Sequence, residues 1–303
     1  MIRPVLAAGV LVALAGCSSF ERNANAASVE GTDVTIDDYQ ALLQEALANT
    51  DIFGVESDPA TGTVAADTGR QLLSLMVQGA ASEEFLAQAG EAVTDDDRQT
   101  ARETLGEDSA LFELTEEFQS LVIDLEAGTS ARARVAAPDA SELERLYMTS
   151  TDTLGVMCVR HVVVATRAEA DDVLDEIYSG ADIETLARER SIDPTASVNG
   201  GAIERGGSAC IPNAEAVNGT DPAFVAAAVS SRPGEPVGPV QTNFGWHVIE
   251  ARPYEDVADS LTALFEESAG DLLYGGFMVT SDVQVDPRYG RWNGAAASVV
   301  ALT

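Results

Sequence analysis

The sequence predicts an α+β fold: an all-helical module, made of N-terminal helices plus a C-terminal helix and short terminal strands, carrying an inserted α/β domain. Three observations predict it. From Thr35 to Ser150, and again from Val257 to Leu273, the apolar residues recur at a helical period. Between Val156 and Tyr254 the pattern changes to short apolar runs alternating with helices, the texture of a compact module around a small sheet. Two short alternating runs, Ser28–Val34 and Asp282–Asp286, flank the whole; neither is stable alone, so they are expected to pair and close the helical module around the insertion.

The chain starts with Met1-Ile2-Arg3, an apolar run from Pro4 to Ala15, and Leu14-Ala15-Gly16-Cys17. This resembles a bacterial lipoprotein signal: the run is too short for a permanent span, and small residues open the bond before Cys17, the expected lipidation site. Residues 1–16 are then the signal peptide and 17–28, polar and rich in Ala and Asn, a flexible tether. The helical module covers 29–155. Thr35 with Asp38 caps a first helix whose apolar face runs through Tyr39 and Leu42, and a loop follows from Asn49 to about Ala65. Leu72, Leu73, Met76 and Val77 mark a helix expected to stop at Gly79, and another is expected from Ser82 to Gly90. Thr94 with Asp97 caps the next. A helix from about Asp108 is expected to end before Gly128, and Asp139 with Glu142 opens one more. The α/β domain covers 156–254, residues 255–292 return to the helical module, and 293–303 read as a disordered tail.

Composition excludes several functions. The net charge is −33, and all 17 basic residues are Arg. Such a surface repels nucleic acid and acidic lipid headgroups, so no nucleic-acid partner is expected. No cofactor is expected, and no His/Cys/Asp/Glu spacing suggests a metal. With Cys17 lipidated, Cys158 and Cys210 remain as an even pair, which an oxidising compartment favours joining; the other arrangement is two buried thiols. The chain has only two histidines, His161 and His247, each in an apolar run that reads as a strand. Their ring nitrogens both donate and accept, so a pair in neighbouring strands can build a fixed polar array in an apolar site.

The residues around them carry a resemblance. Arg160-His161-Val162-Val163-Val164, Ser191-Ile192-Asp193-Pro194, Asn199-Gly200-Gly201, Pro222-Ala223-Phe224, Gly238-Pro239-Val240 and Thr242-Asn243-Phe244-Gly245-Trp246-His247 occur in that order. Together they resemble the parvulin family of peptidyl-prolyl cis/trans isomerases. The flanking helices look like the chaperone module of exported foldases such as SurA and PrsA. The resemblance implies isomerisation of the bond before proline, with His161, Asp193, Thr242 and His247 in the catalytic array and Ile203, Phe224 and Phe244 binding substrate. It departs from the family after the double glycine, where the pocket Met is missing and the loop to Phe224 is longer; Ile211 is the expected replacement. A Cys158–Cys210 bond would tie that loop to the first strand. The expected partners are unfolded or partly folded exported polypeptides with X-Pro bonds, and a membrane through the anchor on Cys17; the number of subunits stays open. The alternative is a holdase whose parvulin-like domain only binds peptide.

Overall fold

The computed structural model describes residues 24–53, 57–58, 63–106 and 109–302. Cys17 and the segment 1–16 lie outside the described residues. Strands β1 (Asn25–Val29) and β2 (Thr32–Thr35) form a hairpin, and Val283–Val285 pairs on the other side of β1, in register Ala27↔Val285 and Val29↔Val283. The two ends of the chain therefore close one small sheet. The expected tether is shorter than the sequence reading had it, because Asn25 to Ser28 belong to the central strand, with Ala26 and Ala27 buried.

Helix α1 (Ile36–Ala48) is capped by Thr35, whose hydroxyl oxygen accepts the Asp38 N–H at 3.1 Å. The expected loop after it contains α2 (Thr50–Phe53) and the two-residue strands β3 (Ser57–Asp58) and β4 (Thr63–Val64). Helix α3 (Ala66–Gln88) then runs straight through Gly79. Helix α4 (Asp95–Leu105) has the full Thr94/Asp97 capping box, and α5 (Glu116–Arg132) runs through Gly128. Neither glycine ends a helix, and packing gives the reason. A Cβ on Gly79 would stand 3.3 Å from Leu121, and one on Gly128 would stand 2.6 Å from Ser82 Oγ, so both glycines let α3 and α5 approach. That contact offsets the cost of about 1 kcal/mol for glycine inside a helix.

Helix α6 (Ala140–Thr149) leads into the inserted domain. Its elements are β5 (Val156–Met157), β6 (Val159–Val164), α7 (Arg167–Tyr178), α8 (Ile183–Arg190), α9 (Ala196–Asn199), β7 (Ile211–Pro212), α10 (Asn213–Ala216), α11 (Pro222–Ser230), β8 (Val237–Thr242) and β9 (Gly245–Ala251). The antiparallel sheet has the order β6-β9-β8. Val162, Val164 and Val248 pack against α7 and α8, while Val159 and Ile249 pack against α11. Strand alternation thus separates two cores and puts 161, 163, 247 and 249 on the α11 face.

Helix α12 (Tyr254–Thr280), broken at Ser268 (φ −151°, ψ 46°), returns to the helical module. Its glycines seat the neighbouring backbone: a Cβ on Gly270 would lie 1.9 Å from the Arg132 carbonyl oxygen, and one on Gly276 would lie 2.0 Å from that of Thr153. Entry and exit of the inserted domain are clasped together. The buried Tyr147 hydroxyl donates to the Arg252 carbonyl at 2.8 Å and also lies 3.3 Å from the Cys158 carbonyl. Cys158 and Cys210 form a disulfide across 52 residues, and both pack with Ala209 against Val257 and Leu261 of α12. A cross-link closing a loop of that length typically adds about 2–4 kcal/mol to a fold.

Strand β10 (Val283–Val285) completes the first sheet, and a hairpin of β11 (Arg291–Asn293) and β12 (Ser298–Val300) follows. The disordered tail expected from 293 is therefore corrected. Val299 is buried and its N–H donates to Ser74 Oγ at 2.8 Å, while the Gln78 amide donates to the Ala297 carbonyl at 2.7 Å. So short a hairpin is unstable alone, and α3 is what holds it.

Candidate active site

Strands β6 and β9 bring the two histidines together. The register pairs His161 with Ile249 and Val163 with His247, so the histidines are diagonal neighbours on one face. Their Nδ1 atoms are 3.0 Å apart. His161 Nε2 is 3.1 Å from Asp193 Oδ2, and His247 Nε2 is 2.8 Å from Thr242 Oγ1. The Phe244 N–H donates to Thr242 Oγ1 at 3.0 Å.

Only one assignment of protons satisfies every contact with both rings neutral. The ionised Asp193 carboxylate can only accept, so His161 Nε2–H donates to it and His161 Nδ1 must accept. His247 Nδ1–H then donates to His161, and His247 Nε2 accepts the Thr242 O–H. The chain of donors runs one way: Phe244 N–H, Thr242, His247, His161, Asp193.

Each end is anchored. Asp193 Oδ1 accepts the Thr195 N–H at 2.8 Å and its O–H at 2.9 Å, and the Ile192 N–H donates to the Val163 carbonyl at 2.8 Å, which pins the loop to β6. Behind the array, the His161 N–H donates to the Gly201 carbonyl at 2.9 Å. The buried Arg160 donates to the Asn199 carbonyl at 2.9 Å and pairs with Glu184 at 2.9 Å.

Burial pushes His247 down from the ordinary histidine value to about 4, helped by His161 beside it. Burial also lowers His161, against the pull of Asp193 toward the charged ring. For Asp193, burial works to raise the carboxyl, but the hydrogen bonds from Thr195 and His161 outweigh it and hold it below its ordinary value. The neutral relay has a consequence in acid. The unfolded chain takes up a proton at His247 near pH 6.5 while the folded one resists it down to about 4. Stability contributed by the neutral ring is therefore complete above about pH 6.5 and declines as pH falls toward 4, by at most about 3 kcal/mol and less where solvent screens the ring at the open side of the cavity. Thermal denaturation between pH 7.5 and 4 is expected to show this decline, and His247→Gln is expected to flatten it; an equal slope in the variant would exclude the ring as its source.

The array lines a cavity of about 440 Å3. Phe224 meets both rings edge-on, with centroids 5.4 Å from His161 and 5.2 Å from His247. Ile203 and the exposed Phe244 line the cavity as well, together with Val163 and Ile192. Ile211 does not. It is buried in β7, pairs with Met157 of β5, and packs beneath Phe224, so the expected replacement for the missing pocket Met is corrected. Sequence reasoning missed Thr195 and Asp221. The spacing Asp193-x-Thr195 is a turn signal that points to the first. Asp221, directly before Pro222, is the N-cap of α11, where its carboxylate accepts the Ala223 N–H at 2.9 Å. No Arg borders the cavity among the described residues.

The model of the PPIC-type PPIase domain, or rotamase, matches residues 161–252. These residues form a PPIC-type PPIase domain. The match begins at one histidine of the pair and encloses the other. The chain is 31% identical over 125 residues to the foldase protein PrsA of Caldanaerobacter subterraneus subsp. tengcongensis, covering 40% of this chain and 38% of that one. It is 38% identical over 102 residues to a probable parvulin-type peptidyl-prolyl cis-trans isomerase of Bordetella pertussis, covering 32% of this chain and 36% of that one. The chain thus spans less than two-fifths of the length of these curated relatives. The crystal structure of PrsA from Bacillus subtilis aligns over 83% of this chain and 90% of its own at 20% identity, with a TM-score of 0.28.

Proposed function

We propose that this chain is a peptidyl-prolyl cis/trans isomerase and foldase for exported polypeptides, anchored by lipid on Cys17 to the outer face of the bacterial cell membrane or the periplasmic face of a membrane. One observation carries the catalytic part: the unbroken relay from Thr242 through His247 and His161 to Asp193, set in the wall of an apolar cavity.

The chemistry follows from the amide. Resonance holds the bond before proline planar behind a barrier of about 18–20 kcal/mol, and water stabilises the charge-separated planar form. An apolar cavity closed by Phe224, Ile203 and Val163 removes that water, which favours the twisted, less polar amide. The relay holds its own donors and acceptors internally, so it offers the planar carbonyl no competing polar partner. No bond to the protein is needed. In a refolding assay limited by proline isomerisation, catalytic amounts of the mature protein are expected to accelerate the slow phase; no acceleration would exclude isomerase activity.

Among the described residues no helix is long and apolar enough to cross a membrane. The proposed attachment rests on Cys17 and the signal-like run before it. In cells fed labelled palmitate, the full chain is expected to take up label and to sediment with membranes. Cys17→Ser is expected to abolish both, and labelling that persists in the variant would overturn the anchor.

A further inference from the structure

We propose that the outer edge of β2 and the groove beside it form a second polypeptide-binding site, which takes an extended segment of alternating apolar and Lys/Arg residues. The proposal uses the foldase reading only for the origin of that segment.

Three observations meet at one place. In the sheet order β10-β1-β2, β2 is an edge: among the described residues no strand pairs with its outer side. Its backbone groups there are open to an added strand. Beside that edge lies a groove of about 520 Å3 between β2, α3 and α5. Its apolar wall is made by Val34, Met76, Ala80, Leu86 and Leu121, room for apolar side chains projecting from every second residue of an added strand. The charges at its rim are unbalanced. Glu91 is paired with Arg134 and Asp124 with Arg98, but Asp33, Asp38 and Glu83 meet no basic side chain among the described residues.

The acid rim decides the occupant. A second copy of this chain would bring an equally acidic edge, with Asp33 against Asp33, and is repelled. A segment with Lys or Arg between apolar residues satisfies all three features at once. The site lies in the helical module, on elements that contribute nothing to the His161–His247 cavity.

The test uses the mature protein and a fluorescent, proline-free octapeptide alternating Leu and Lys, read by anisotropy. Binding is expected, and the counterpart with Glu for Lys is expected not to bind. Asp33→Asn combined with Glu83→Gln is expected to weaken binding about tenfold, a local effect because it removes only two charges from a net −33. N-methylation of alternate peptide nitrogens along one edge is expected to abolish it, as is Ala80→Phe, which fills the groove. Equal binding of the N-methylated peptide or no effect of the double variant would overturn the proposal. So would displacement by a short prolyl peptide, because the octapeptide would then occupy the His247 cavity. Turnover of that prolyl peptide is expected to survive in all these variants. If even the unaltered protein lacks turnover, the isomerase reading fails and the binding result still stands on its own.

Discussion

His161→Ala combined with His247→Ala is expected to reduce kcat/KM for a prolyl peptide by about a hundredfold, with either change alone costing roughly tenfold, or about 1.4 kcal/mol of barrier each. The two rings, whose Nδ1 atoms meet at 3.0 Å, fill the cavity wall between Phe224, Asp193 and Thr242, and truncating them lets water reach the amide that the cavity otherwise desolvates. Removing both leaves no buried ring nitrogen orphaned; Asp193 Oδ1 keeps Thr195, Thr242 Oγ1 keeps the Phe244 N–H, and the two groups that lose a ring partner, Asp193 Oδ2 and the Thr242 O–H, belong to half-buried side chains that water can reach. Removing His247 alone leaves His161 Nδ1 buried without its donor, at a cost of about 1–3 kcal/mol in stability. The single variant is thus expected to melt lower per residue changed while retaining more activity. The proline-limited refolding rate and the melting temperature, measured side by side, separate the two effects. A double variant as fast as the unaltered protein would remove the histidines from the mechanism.

Gly201→Ala is expected to be the most damaging small change near the site. Gly201 sits at φ +73°, and an added Cβ would stand 2.1 Å from the His161 carbonyl oxygen and 2.9 Å from the Ala187 Cβ. Both neighbours belong to packed elements, β6 and α8, and neither can yield without shifting the strand that carries His161. The expected loss is about 3–5 kcal/mol, a fall in Tm of roughly 10 °C. Gly180→Ala is the control. Its φ is +96°, yet nothing lies within 4 Å of the added carbon, so only the backbone cost of about 1–2 kcal/mol is expected. Equal melting of the two variants would mean that the close approach at Gly201 does not matter.

Helix starts were legible in the sequence because a cap is a local contract. Thr35, Thr94 and Asp139 each bond to an N–H three residues on, and the spacing alone announces it. Helix ends were less legible. Gly79 and Gly128 look like stops, and only the approach of α3 to α5, through the pairs Gly79 with Leu121 and Gly128 with Ser82 far apart in the chain, shows that they are crossing points. The site divides along the same line. The rings and Thr242 sit in an ordered set of motifs around one sheet, whose period of two places them on a common face. Ile211 sits in a loop whose path depends on β7 pairing with β5 and on the Cys158–Cys210 bond, and no local pattern tells which way its side chain faces. The last hairpin was invisible for a related reason: its few apolar residues acquire meaning only on the surface of α3.

The long loop that departs from the parvulin pattern has a mechanical consequence. Through Ala209 and Cys210 it joins the core that contains Val257 and Leu261, and the Ala209 N–H donates to Ser260 at 3.1 Å. The PPIase domain is thus riveted to α12 instead of swinging on two chain crossings. On the roles proposed for the cavity around His247 and the edge of β2, a client engaged at both would be gauged against a ruler, at about 3.3 Å of reach for each extended residue. Only those prolines that lie the right number of residues from a suitable segment would be handed to the histidines.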